Sequence, residues 1–155
     1  MKQKTQIDAK DDKSDLLITR DFDLPLELLF KAYEDPEIVE QWMGTKVLKL
    51  ENRQHGGWMF QTSDDEGNVV FSAHGAIHEF TSNQRIIRTF QMDNTPLPVQ
   101  LEFLEFEEIS ETSSRLKMQI VYKSVEDRNR MLQLPFAQGI NMAHNKLQDV
   151  LSKLK

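Results

Sequence analysis

Few side chains in this sequence could do chemistry, and most are spaced wrongly for it. There is no Cys, which excludes disulfides, thiolate nucleophiles and cysteine-based zinc or iron–sulfur sites. His74 and His78 stand four residues apart, a spacing that would put two imidazoles on one face of a helix. The alternation around Gly75 argues for a strand instead, where they lie about 13 Å apart at ~3.3 Å per residue and cannot share an ion. Asp64-Asp65-Glu66-Gly67-Asn68 lacks the alternate-position ligands and distant Glu of a calcium loop and is expected to be a hairpin turn. Gly56-Gly57 is followed by neither a helix nor Lys-Ser/Thr, so it is no phosphate loop. No Gly-x-Ser-x-Gly elbow occurs, and spacing assembles neither a nucleophile–base pair nor an acid pair. Neither metal nor cofactor is expected, and catalysis has no positive support.

Two polar residues interrupt apolar patterns. In Ile86-Ile87-Arg88-Thr89-Phe90, period two carries Arg88 inward if Ile86 and Phe90 point inward. A buried guanidinium needs a partner, either an acidic or phenolate group of a ligand or a carboxylate such as Glu105, which shares the parity of Val99, Leu101 and Phe103. Alternatively Ile87 and Thr89 face inward and Arg88 stands in water. His144 falls on the helical stripe of Ile140, Leu147 and Leu151, so it either tips a polar group into an interior site or is a hydrogen-bonded packing residue.

The elements that must position these residues follow from periodicity. Asp15 to Phe22 is expected as a first strand. Pro25, Leu28, Leu29, Ala32 and Tyr33 recur at helical spacing, with Asp23 or Leu24 expected at the N-cap and Pro25 at N1. Asp35-Pro36 stops that helix, and Glu37 to Trp42 makes a second short one ending near Gly44. Beyond Gly44 the period becomes two, with strands expected at Val47–Glu51, Trp58–Thr62, Val69–Phe80, Arg85–Gln91, Val99–Glu107 and Arg115–Tyr122. Turn-rich segments separate them. After Ser124, an N-cap, the chain turns helical, with a kink or restart at Pro135. Phe136, Ile140, Ala143, Leu147, Val150, Leu151 and Leu154 then keep one face apolar. An antiparallel sheet with one oily face must be covered, and only this last helix is long enough to do so.

With 155 residues, the chain fits one domain. A net charge of −6, with no basic stripe interleaved with aromatics, disfavours nucleic acid. No apolar run suffices for a membrane span, and a cytoplasmic location is expected. Residues 1–14 are expected to be a mobile tail and residues 15–155 a single domain.

Five motifs in order carry a resemblance: Ile18-Thr19-Arg20; Leu24-Pro25 with Leu29-Phe30-Lys31-Ala32-Tyr33; Asp35-Pro36-Glu37; Gln41-Trp42-Met43-Gly44; and Arg53-Gln54-His55-Gly56-Gly57-Trp58. Over residues 15 to 154 the chain resembles the family named after the activator of the heat-shock protein 90 ATPase, within the START/Bet v 1-like (SRPBCC) helix-grip superfamily. It departs from the usual pattern at Met43, Thr45, Ser82-Asn83 and Gly139-Ile140. The resemblance implies an α+β helix-grip fold, a curved antiparallel sheet of six or seven strands wrapped on a long C-terminal helix, and a hydrophobic cavity between them.

Parity and resemblance together give an expected lining of Trp42, Trp58, Phe60, Phe71, Ile77, Arg88, Phe90, Phe103, Met118, Tyr122, Phe136, Ile140 and His144. The expected partner is a small hydrophobic or aromatic ligand such as a lipid, polyketide or flavonoid-like molecule, held without catalysis by a carrier, sensor or sequestering protein. A polyketide cyclase or dehydratase and a stress-related cofactor of heat-shock protein 90 are the alternatives.

Overall fold

The computed structural model describes residues 3–155. Eight strands form one antiparallel sheet: β1 (Gln6–Asp8), β2 (Asp15–Phe22), β3 (Lys46–Leu50), β4 (Gly57–Ser63), β5 (Val69–Thr81), β6 (Arg85–Met92), β7 (Gln100–Ser110) and β8 (Ser113–Val121), in the order β1-β2-β8-β7-β6-β5-β4-β3. Register shifts interrupt the β3–β4, β4–β5, β5–β6 and β7–β8 pairings. Such bulges add local bend and twist, and the sheet curls around one face. Helices α1 (Leu26–Glu34), α2 (Pro36–Met43), α3 (Val125–Leu132) and α4 (Phe136–Ser152) complete the fold.

Local chemistry sets the helix ends. Asp35 accepts from the Glu37 backbone N–H at 2.9 Å, Pro36 opens α2, and Gly44 closes it in the left-handed region at φ 63°. Ser124 caps α3 by accepting from the Asp127 N–H at 3.1 Å. The start of α1 differs from expectation: Pro25 is itself the N-cap, without a side-chain cap bond, and its carbonyl accepts from Leu28 and Leu29. At Pro135 the chain restarts, so α3 and α4 are separate helices.

Period-two burial gives the sheet its inner face. Leu16, Ile18, Arg20 and Phe22 on β2, Ile86 and Arg88 on β6, and Leu116, Met118 and Ile120 on β8 are all buried. On β5, Ala73 and Ile77 are buried, so the expected inward parity holds there. It fails on β7, where the buried set is Gln100, Glu102, Leu104 and Phe106. Leu101 and Phe103 make the alternative parity equally apolar in sequence, and pairing decides: Glu102, not Glu105, stands opposite Arg88.

The tail also differs from expectation. Residues 6–8 pair with β2 as an eighth strand, and Ile7 and Ala9 pack against the core. That apolar contact holds β1 to the sheet edge.

Two apolar clusters fill the interior. The larger joins β2, β7 and β8 to α1 and to the second half of α4 through Leu147, Val150 and Leu151; the smaller groups Val39, Trp58, Phe60, Ala73 and Ile77. Gly75 makes the smaller one possible. The Trp58 indole crosses over it and donates from Nε1 to the Thr89 carbonyl at 3.0 Å. A Cβ on residue 75 would collide with that carbonyl and lie 2.5 Å from the indole nitrogen. Gly75→Ala is therefore expected to cost about 1–3 kcal/mol as an overpacking change. Urea denaturation followed by Trp fluorescence measures it.

Candidate functional site

A buried polar network lies on β6 and β7 of the inner sheet face. Arg88 Nε donates to Glu102 Oε1 at 3.0 Å, and Gln100 Nε2 donates to Glu102 Oε2 at 2.8 Å. All three residues are buried. The guanidinium carbon of Arg88 lies 5.1 Å from the Trp58 ring centroid, a cation–π contact. Trp58 in turn packs on Phe60 and Phe90, with centroids 4.7 and 5.4 Å away. The cation thus has a carboxylate on one side and an aromatic wall beside it.

Two tyrosines complete the region. Tyr122 directly follows β8, and its buried hydroxyl has no hydrogen-bond partner. Burial, and secondarily the Glu102 charge, push its pKa up. Burial likewise raises that of Tyr33, with Arg88 opposing and Glu102 reinforcing. Both phenols stay protonated at neutral pH, so Tyr122 presents a buried, unused donor.

A second polar cluster lies between β2 and α4, around His144. Thr5 Oγ1 is 2.7 Å from His144 Nδ1, and the ring meets Phe22 edge-on at 5.6 Å. Burial, reinforced by the Arg20 charge, lowers the His144 pKa to about 3. Arg20 donates to Asn145 Oδ1 at 3.0 Å, to Thr5 Oγ1 at 3.3 Å and to Asn141 Oδ1 at 3.4 Å.

The expected lining residues therefore separate. Trp58, Phe60, Ile77, Arg88 and Phe90 come together, with Phe71 half-buried at their margin. Met118 and Tyr122 belong to the larger cluster, against which Phe136 and Ile140 of α4 are only partly buried. Trp42 joins α1 to α2, donating from Nε1 to the Ala32 carbonyl at 2.6 Å and packing on Tyr33. His144 sits with Arg20, bonded to Thr5. Phe103 is a correction: it lines an outer-face depression of about 380 Å³ with Leu17, Thr19, Glu105 and Lys117. Of the other expectations for His, His74 pairs with Asp93 at 2.7 Å, and no group of three or more metal-ligating side chains occurs among the described residues.

Sequence reasoning missed Glu102, Gln100 and Arg20. Arg20 was legible, since it shares the parity of Leu16, Ile18 and Phe22. Glu102 needed the β6–β7 register.

A curled antiparallel sheet closed over a long C-terminal helix, with two short helices after the first long strand, defines a helix-grip protein. The family model described as Activator of Hsp90 ATPase homolog 1-like protein matches residues 23–152, and the chain belongs to that family. Among curated proteins none matches. Solved structures share the fold. Protein Ms6760 from Mycobacterium smegmatis is 21% identical with a TM-score of 0.83, covering 96% of each chain. A protein from Arthrobacter aurescens is 16% identical with a TM-score of 0.85, covering 96% of this chain and 91% of its own. One from Rhodobacter sphaeroides is 19% identical with a TM-score of 0.85, covering 96% and 99%. No helix of the described residues is long and apolar enough to cross a membrane.

Two predictions follow from the buried charges. Glu102→Leu strands the Arg88 guanidinium and is expected to cost about 3–5 kcal/mol, whereas Arg88→Met with Glu102→Leu restores much of that loss; denaturant midpoints compare them. His144 has its folded pKa below the ordinary 6.5, so the unfolded chain binds the proton more readily. Stability is full above about pH 6.5 and falls as pH drops toward 3, by up to about 1.4 kcal/mol per unit. His144→Gln is expected to flatten that slope in melts across the range.

Proposed function

We propose that this protein binds a small, neutral, largely apolar or aromatic molecule between the inner sheet face and α4, as a carrier, sensor or sequestering protein without catalysis. The observation that carries this reading is the Tyr122 hydroxyl, a buried donor without an acceptor. An orphaned buried polar atom costs about 1–3 kcal/mol, and a ligand carbonyl or hydroxyl would remove that cost. Arg88 is already paired with Glu102, so this cation offers no attraction to an acidic ligand. A neutral acceptor suits the site better than a carboxylate.

The cover supports the same reading. Leu147, Val150 and Leu151 anchor the second half of α4, whereas Phe136, Ile140 and Ala143 of its first half are only partly buried. The α3–α4 turn exposes Leu134. The weakly anchored half is where a ligand gains access, and its apolar residues complete the enclosure. Burying about 300 Å² of ligand surface yields roughly 7 kcal/mol before association costs.

Titration of neutral aromatic ketones, followed by Trp fluorescence, tests this. Tyr122→Phe is expected to weaken binding about fivefold to tenfold through loss of one hydrogen bond, while leaving the melting temperature unchanged or higher. Ile140→Asp is expected to abolish binding in a folded protein. Unchanged affinity in both variants would contradict the reading.

A further inference from the structure

Arg20 is 2% exposed, yet no described carboxylate lies within ion-pair distance of its guanidinium; the nearest charged influence on it is Asp23, which makes no contact. Its hydrogen-bond acceptors are the amide oxygens of Asn141 and Asn145 and the Thr5 hydroxyl, all neutral. Its Nε is buried with no partner at all. Phe22 lies beneath it, with the guanidinium carbon 5.2 Å from the ring centroid. A buried cation without a counter-charge is unfavourable, whereas the Arg88 cation, in the same interior, has its carboxylate.

We infer that Arg20, His144, Asn141 and Asn145 form a binding site for a small monocarboxylate, and that Thr5 holds the carboxylate's place in the closed structure. Thr5 Oγ1 stands where an anionic oxygen would meet both Arg20 Nη1 and His144 Nδ1. At Thr5's position a carboxylate oxygen meets the guanidinium through Nη1; Nε lies on the other edge, beside the Nη2 that Asn145 occupies. One guanidinium among neutral amides matches a single negative charge. Thr5 can leave, because it precedes β1, a three-residue edge strand paired only with β2. The Thr5 backbone N–H, bonded to Asn141 Oδ1 at 3.0 Å, is the other tie to break.

This site lies along β2 and is separate from the Tyr122 region, so the two readings fail independently. The test uses the full chain, isotope-labelled, titrated with sodium acetate and, as its neutral isostere, acetamide. The Arg20 Nε–Hε and His144 ring resonances report this site, and the Tyr122 ring reports the other. Acetate is expected to shift the Arg20 and His144 signals saturably, while acetamide does not. Arg20→Gln is expected to remove the acetate response. Thr5→Gly, which deletes the competing hydroxyl, is expected to tighten acetate binding about fivefold, the weight of one ordinary hydrogen bond. No saturable shift past the millimolar range, an equal response to acetamide, or an affinity unmoved by Thr5→Gly would overturn the inference, the last even if Arg20→Gln fails to fold.

Discussion

Arg88 and Glu102 face each other from neighbouring strands with almost no water around them. Removing two such charges from water costs several kcal/mol per ion, and only good geometry and further hydrogen bonds offset it. Much of the inner sheet is arranged to that end. Gln100 satisfies the second oxygen of Glu102, and the Trp58 face covers the guanidinium. For Trp58 to lie there, its indole must cross β5, and residue 75 must lack a side chain. Its N–H then reaches the β6 backbone at Thr89. One ion pair therefore ties together the choice of residue on β4, β5, β6 and β7.

That arrangement has a consequence for recognition. A cation already matched inside the protein does not select an acidic ligand, and what it leaves unused is the phenol of Tyr122. The second arginine is the reverse case: Arg20 has neutral acceptors and a spare Nε. Of the three buried arginines, Arg88 has a carboxylate, while Arg128 donates to the Lys10 and Asp15 carbonyls and Arg20 alone keeps an unpartnered Nε. The α4 helix packs tightly by Leu147 and Leu151 and loosely by Phe136 and Ile140.

Much of this was legible in the sequence where one physical rule dominated. Asp15 to Phe22 is apolar and β-branched enough to read as a strand and forms one with those same bounds. Asp35-Pro36 and Gly44 end helices because their backbone chemistry leaves few alternatives. Arg88 stayed open between the two faces, because Ile87 is as apolar as Ile86, and only burial and register place it inward. On β7 the rule ran out: Leu101 and Phe103 compete with Leu104 and Phe106, so parity cannot be chosen locally, and Phe103 was placed on the wrong face. Strand pairing with β6 is a long-range fact, and so is the partner of Arg88. The β1 strand was illegible for a similar reason, since three residues, Gln6-Ile7-Asp8, carry no periodicity until β2 offers them an edge. His144 was ambiguous because its environment comes from Arg20 and Thr5, more than a hundred residues away in the chain.

The central claim is that a neutral apolar ligand seats between the inner sheet face and the weakly anchored half of α4, oriented by Tyr122. An isotope-filtered NOE spectrum of the labelled protein with an unlabelled neutral aromatic ketone tests it most directly. Ligand protons are expected to contact the Tyr122 ring and the partly buried Phe136 and Ile140 of α4. Contacts confined to Leu17 and Phe103 on the outer face, or none while the fold is intact, would contradict it.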